Sequence, residues 1–337
     1  MEYQKFEQKY VTINGIQHYF LHYPSKPKEP VILFLHGGPG SAESCFAHYV
    51  EEYEERNYNI VYYDQRGAGK TWWKNKKLKP CTADLKKDLL EVVLYVKKLY
   101  QKDKIVILGH SWGSVLGSMF ALEHPEHVLC YIGCGQVVNT LENEKTGYEK
   151  LRKAIEKSGN QSDRRKLERI GTYPVQGVER EVYRKMGQVR SLQGKYGLGM
   201  SIDRKLVGIY IKSPIFGIAD LLAIICGMKV NITALKEMMD FDIRKWESSY
   251  QVPVYYVLGE MDQQTPIELS RAYFAEITAP DKKLYVIPKA GHMTMLDHVE
   301  PYRKAIGEIM NRCAFPDAET GKRGSLLTED RDNITWA

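Results

Sequence analysis

The 337-residue chain has no apolar run long enough to cross a bilayer. Its longest runs, such as Leu221 to Cys226, fall far short of the ~20 residues that a helical span requires. Its opening stretch, Met1 to Tyr10, is charged and polar where a secretory signal needs an apolar segment. These absences set the expectation of a soluble, cytoplasmic protein with no membrane partner. Cysteine is sparse: Cys45, Cys81, Cys130, Cys134, Cys226 and Cys313 are scattered, with no Cys-x-x-Cys pair and no clustered histidines to complete a metal site. No metal is expected, and the thiols are read as free and buried. The net charge of +6 is modest, although Lys145 to Lys212 holds 17 Lys/Arg against 7 Asp/Glu. Those cations are interspersed with acids and glycines and form no stripe with aromatic platforms, so a solvated surface is expected there and no nucleic-acid partner. What is present is 43% hydrophobic residue content, enough for a sizeable core, in a length that fits one large α/β domain carrying an insertion.

Short apolar runs alternate with helical periodicity over much of the chain. Tyr10–Thr12 and Ile16–His22, separated by Asn14-Gly15, read as a β-hairpin. Val31–Leu35 and Ile60–Tyr63 are continuous apolar runs of the kind buried on both faces of a parallel sheet. Between them Ser44 to Arg56 reads as a helix, and after them Trp72 and Trp73 fall in a basic loop. Leu85, Leu89, Val92, Val93, Val96 and Leu99 repeat at helical spacing and lead into the run Ile105–Leu108. A helix follows to about His124-Pro125, then a strand at Val128–Gly133. From Val137 to Glu247 there are helical segments and many charges but no convincing buried strand. The alternation returns with Val252–Leu258, a helix from Pro266, Leu284–Ile287, and a helix from Asp297 to about Arg312. The expected architecture is a mostly parallel sheet flanked by helices, formed by residues 1–136 and 248–313, split by a helical insertion at 137–247, with 314–337 a polar tail.

Chemistry is written most clearly at Gly109-His110-Ser111-Trp112-Gly113. A strand stops at a glycine, presents one serine, passes a second glycine and continues as a helix, the pattern of a nucleophile elbow. A serine hydroxyl needs a base, and the base needs a third group to fix its tautomer and steady the cation that forms. Both are expected in loops just beyond strands. Glu260 and Asp262 follow the strand ending at Leu258, and His292 follows the strand ending at Ile287. Asp262 is preferred as the acid, with Glu260, two residues closer to the strand end, a real rival. The other histidines compete poorly: His110 is locked beside the serine, His124 and His127 sit at the far end of the elbow helix, and His36 begins a loop, His36-Gly37-Gly38-Pro39-Gly40, whose glycines leave N–H groups free to point at a ligand.

Those motifs, with Asp64-Gln65-Arg66-Gly67-x-Gly69 and Gly291-His292, resemble the prolyl iminopeptidase branch of the α/β-hydrolases. The resemblance implies the α/β-hydrolase fold with a helical cap, Ser111 as nucleophile, Asp262 and His292 as its partners, and the N–H groups of Gly38 and Trp112 as an oxyanion hole. It implies no cofactor, and hydrolysis of an ester or amide in a small molecule or short peptide through an acyl-enzyme, with release of an N-terminal residue such as proline as the family default. An esterase or amidase acting on another acyl group, and a non-catalytic ligand-binding relative, are the alternatives. Three positions depart from the family pattern: His110 stands where many members have glycine, Lys70-Thr71 replaces Arg-Ser, and Gln263 follows the acid where some aminopeptidases carry a carboxylate. A weak preference for a free amine is therefore expected, with Glu142, Glu144, Glu149, Glu179, Glu181 and Asp203 the insertion's candidate carboxylates.

Overall fold

A computed structural model of the chain describes residues 6–174, 179–200 and 203–314. The order of elements is β1 (Glu7–Ile13), β2 (Ile16–Tyr23), β3 (Val31–Leu35), α1 (Ala47–Glu51), β4 (Asn59–Tyr63), α2 (Gly69–Lys74), α3 (Thr82–Tyr100), β5 (Ile105–His110), α4 (Trp112–Glu123) and β6 (Val128–Cys134). There follow α5 (Thr140–Ser158), α6 (Gln161–Ile170), α7 (Glu179–Lys195), α8 (Arg204–Lys212), α9 (Ile218–Val230) and α10 (Ile232–Met239). The chain then returns through β7 (Val254–Gly259), α11 (Ile267–Glu276), β8 (Lys282–Ile287), α12 (Thr294–Asp297) and α13 (Val299–Ala314). The eight strands form one sheet in the order β1-β2-β4-β3-β5-β6-β7-β8. It is antiparallel across β1, β2 and β4 and parallel from β4 through β8.

The continuous apolar runs become strands because helices cover both faces of the sheet, and successive side chains alternate between two cores. Leu33, Val61 and Ile107 point to one face, where Leu85, Leu89, Val92 and Val96 of α3 and Val115 of α4 cover them. Their neighbours Ile32, Ile60 and Val106 point to the other, beneath Val50 of α1 and Ile306 and Ile309 of α13. Each such side chain, fully withdrawn from water, contributes about 1.5–3 kcal/mol of transfer free energy. The β1–β2 hairpin closes on Asn14 (φ 50°) and Gly15 (φ 77°), the left-handed pair that the Asn-Gly sequence signals. Between β6 and β7 the described residues contain six helices and no strand of the sheet. Leu151, Ile155, Leu167, Ile170, Val189 and Leu192 give this stretch a small core of its own.

Two elements differ from the sequence expectation. The helix expected to run to Arg56 ends at Glu51, whose buried carboxylate accepts hydrogen bonds from Tyr58 (3.0 Å) and Tyr62 (2.7 Å) and so pins the chain to the sheet. Trp72 and Trp73 lie not in a loop but in α2, which is anchored where Lys70 N–H donates to the Asp64 carboxylate (2.7 Å). The last helix, expected from Asp297 to about Arg312, is α13, with the short α12 ahead of it. The polar tail at 315–337 lies outside the described residues. Among the described residues no single helix is long and apolar enough to cross a membrane.

Candidate active site

The loops that follow β3, β5, β7 and β8 all leave the carboxyl edge of the parallel strands, the edge where open α/β sheets form their ligand crevice. At the end of β5 the backbone turns so sharply that Ser111 takes φ 52°, ψ −118° before α4 begins at Trp112. A non-glycine residue held there stores strain, which persists only because its surroundings over-determine it. The two flanking glycines are required sterically. A Cβ on Gly113 would lie 1.9 Å from the Leu35 carbonyl oxygen, and one on Gly109 would lie 2.4 Å from the Gly113 carbonyl oxygen. Only bare backbone lets β5, α4 and the end of β3 meet this closely.

Ser111 and His292 line one cavity of about 620 Å³, together with Gly37, Gly38, Pro39 and Gly40. Across it, His292 Nδ1 donates to Asp262 Oδ2 at 2.8 Å, which leaves Nε2 as the basic nitrogen. The Asp262 carboxylate also accepts from the Thr265 hydroxyl (2.6 Å) and from the backbone N–H groups of Gln264 (2.8 Å) and Thr265 (3.0 Å). Burial alone would push this carboxyl up, but the His292 charge and these hydrogen bonds outweigh it and hold Asp262 below the ordinary carboxylate range. Glu260 is turned away from His292: its carboxylate accepts from Lys289 N–H (2.8 Å). The geometry thus brings Ser111 and His292 to one crevice, with Asp262 buried behind His292. Trp112 is the first residue of α4, so its N–H is one of those without an intrahelical acceptor. Its indole is buried and donates to the Gln65 side chain (3.1 Å), which itself donates to the His36 carbonyl (2.9 Å). His36 Nε2 accepts from Gln65 N–H (2.9 Å) and Nδ1–H donates to the Gly37 carbonyl (2.8 Å), so the ring is a neutral brace beneath the glycine loop. Burial holds it below the usual histidine range.

Comparisons with known proteins bear on the fold that carries this crevice. The profile of the α/β-hydrolase fold family matches residues 30–158. The chain is 28% identical to the probable aminopeptidase YbaC of Bacillus subtilis over 79% of its own length and 84% of that protein. It is 23% identical to the proline iminopeptidase of Heyndrickxia coagulans over 91% and 99% of the two chains. Among solved structures, the proline iminopeptidase-related protein of Thermus thermophilus superposes with a TM-score of 0.63 at 18% identity, over 93% of this chain and 99% of that one. The chain has the α/β-hydrolase fold and is similar to proline iminopeptidases and a probable aminopeptidase.

Two features of this α/β-hydrolase escaped the sequence. The first is Glu43, buried behind the glycine loop, whose Oε1 accepts from Gly37 N–H (3.2 Å) and from His110 Nδ1 (2.7 Å). The other His110 nitrogen faces the His292 carbonyl oxygen at 3.0 Å. Two acceptors require two donors, so His110 is an imidazolium paired with Glu43. Burial works against that charge, but Glu43 and the His292 carbonyl overcome it and raise the His110 pKa above the usual 6.5. One buried ion pair thereby ties the glycine loop to the backbone of His292. No local signal marked it, because Glu43 and His110 are 67 residues apart. Thr265 had a signal: an Asp three residues before a Thr, just ahead of α11, is the spacing of an aspartate that caps a helix-entry turn.

The second concerns charge in the cavity wall. Of the insertion's candidate carboxylates, Glu142 pairs with Arg244 (2.7 Å), Glu181 with Lys185 (3.3 Å), and Asp203 caps α8. The side chain of Glu179 lies outside the described residues. Glu144 does line the cavity, but it is paired with Arg190, also in the wall, and accepts from Tyr173 as well. Met186, Met200, Leu235, Met238 and Met293 supply an apolar part of the lining.

Proposed function

We propose that the chain is a serine hydrolase that cleaves a small ester or amide through an acyl-enzyme on Ser111, with residues 137–247 acting as the cap over its site. The reading rests on one observation: a serine held on a strained elbow shares a crevice with a histidine whose Nδ1–H is committed to a buried carboxylate. In the first step Ser111 Oγ bonds to the substrate carbonyl carbon while its proton passes to His292 Nε2. The oxyanion collects hydrogen bonds from the N–H groups of Gly38 and Trp112, each such donor worth about 2.7–4 kcal/mol in sites of this kind. Collapse breaks the bond to the leaving group, which takes the proton from His292. Water then repeats the sequence in reverse, giving its proton to His292 and freeing the acyl group as a carboxylic acid. Asp262 stays ionised throughout and keeps the imidazole in the productive tautomer.

The relatives make N-terminal proline release the default reaction, and the cavity volume suits a residue of that size with a short extension. A second reading, hydrolysis of an uncharged acyl ester, is favoured by the commitment of Glu144 to Arg190, because an aminopeptidase must offer a substrate ammonium an acceptor that is not already neutralised. Labelling with a fluorophosphonate tests the nucleophile: one adduct is expected, and an adduct that survives Ser111→Ala removes the triad assignment. Proline arylamide, its N-acylated form and a short-chain aryl ester then separate the readings. Strong selectivity for the free amine establishes the aminopeptidase, ester cleavage without it establishes the esterase, and no turnover by the folded, unlabelled protein leaves the binding-only relative.

A further inference from the structure

Helix α9 carries its polarity the wrong way round for a helix on the surface of a globular domain. Its inner face holds Asp220, buried and paired with Lys70, and its C-terminal cap Asn231 donates to the carbonyl oxygens of Gly67 and Gly227 (2.9 Å each). The bonds to Lys70 and Gly67 clamp α9 onto α2 and the loop that precedes it. Its outer face is apolar. Ile218 is 75% exposed and Ile225 69%, with Leu221 and Ile224 also turned to solvent. The preceding helix adds Val207 and Ile211, the latter 78% exposed. Branched aliphatic side chains on two consecutive helices, each left in water, mark a surface built to be covered.

The charges around this face indicate what covers it. Residues 204–236 contain five Lys/Arg and one acid, and that acid, Asp220, is the buried partner of Lys70. Arg204 and Lys212 at the ends of α8 and Lys229 one turn beyond Ile225 are exposed. The exposed acids Asp203 and Glu237 lie just outside this stretch, and each accepts a backbone N–H, from Leu206 and Thr82 respectively. An apolar face with exposed cations along α8 and α9 complements a layer of negative headgroups over hydrocarbon. We infer that the α8–α9 face docks this hydrolase on an anionic lipid surface. Among the described residues no single helix is long and apolar enough to cross a membrane, and a helix that lies in the plane of the interface needs no such length. Ile224 and Gly227 of α9 also line the Ser111 cavity, so the docked face adjoins the site, and an apolar substrate dissolved in the lipid is carried to the cavity wall.

Co-sedimentation of the full chain with vesicles tests the docking without using activity. The protein is expected to pellet with vesicles containing phosphatidylglycerol, to remain in solution with pure phosphatidylcholine, and to bind less as salt is raised. The double variant Ile218→Glu, Ile225→Glu is expected to lower the partition coefficient by about 100-fold or more. Lys212→Ala with Lys229→Ala is expected to lower it by about fivefold per lost cation. None of these four residues lines the cavity, so an unchanged fluorophosphonate adduct on Ser111 and an unchanged circular dichroism spectrum establish that each variant is folded. Failure to pellet with the anionic vesicles, or equal binding to both lipids, overturns the inference. So does a wild-type dimer in light scattering that Ile218→Glu, Ile225→Glu converts to a monomer, because the face is then an interface between copies of this chain.

Discussion

Replacing Glu43 with Gln removes the negative half of the buried pair that joins the glycine loop to the His292 backbone. Both partners are almost fully buried, His110 at 1% exposure and Glu43 at 4%. Breaking such a pair by removing one member costs about 3–5 kcal/mol, because the remaining charge has lost its compensation and cannot regain water. The cost is expected to depend on pH. In the wild type the folded pKa of His110 lies above the unfolded value of 6.5, so the native state holds a proton that the unfolded chain releases. That stabilisation is fully present below pH 6.5 and is lost as pH rises through the folded value. In Glu43→Gln burial is opposed only by the His292 carbonyl and Asp262, so the folded pKa falls and less stability is tied to the His110 proton. The gap between the two proteins is therefore widest near pH 5.5 and narrows toward pH 8.5, with a slope of at most about 1.4 kcal/mol per pH unit for one proton. Urea unfolding of both proteins across that range measures it, and taking the difference cancels the other titrating groups. A cost below about 1 kcal/mol, or a gap that does not change with pH, refutes the assignment of His110 as an imidazolium paired with Glu43.

Asp262→Asn is expected to lower kcat by about 10⁴, by analogy with the same change in serine proteases, while Glu260→Gln leaves steady-state kinetics near wild type. Gly113→Ala is expected to cost more than about 3 kcal/mol in thermal or urea unfolding, since its Cβ would have to displace the Leu35 backbone. Asp64, buried between Ser44 and the start of α2, has its pKa pushed up to about 7, chiefly by burial, so stability tied to its proton falls as pH rises toward and through 7. Asp64→Asn is expected to flatten that part of the stability profile. Arg190→Leu frees the Glu144 carboxylate from its cation, and the ratio of kcat/KM for proline arylamide to that for its N-acylated form is expected to rise; an unchanged ratio places the amine away from Glu144.

The parallel strands were legible because burial on both faces demands apolar residues at every position, which leaves a continuous run instead of a faint alternation. The elbow was legible for the opposite reason, since its glycines are dictated by backbone contacts that admit no side chain. Elements fixed by tertiary partners left no such trace. Gly69–Lys74 has neither periodicity nor a capping side chain of its own, and it becomes α2 because Asp64 receives its first free N–H and α9 packs against it. The helix after the glycine loop loses a turn because Tyr58 and Tyr62 claim Glu51. Competition between Glu260 and Asp262 was open in the sequence because both lie in one loop. Four hydrogen bonds to Asp262 and the turn of Glu260 toward Lys289 distinguish them only once the loop is folded.

The same distinction between residue type and residue pairing governs the cavity. Gln263, the neutral residue after Asp262, was the sequence's reason to expect a weak demand for a free amine. In the fold it is buried, its backbone carbonyl accepts from Gln193 (3.1 Å), and it does not line the cavity. Its neutrality therefore says nothing direct about the substrate. Other residues of the wall bear on that demand. The wall contains carboxylates at Glu43 and Glu144, yet His110 neutralises the first and Arg190 the second, and the cation Lys195 is likewise paired with Asp163. A substrate ammonium entering this space meets acceptors whose charge is already balanced, and to bind one it must displace the partly exposed Arg190 guanidinium or the buried His110 ring. An uncharged acyl group resting on Met186, Met238 and Met293 meets no such cost.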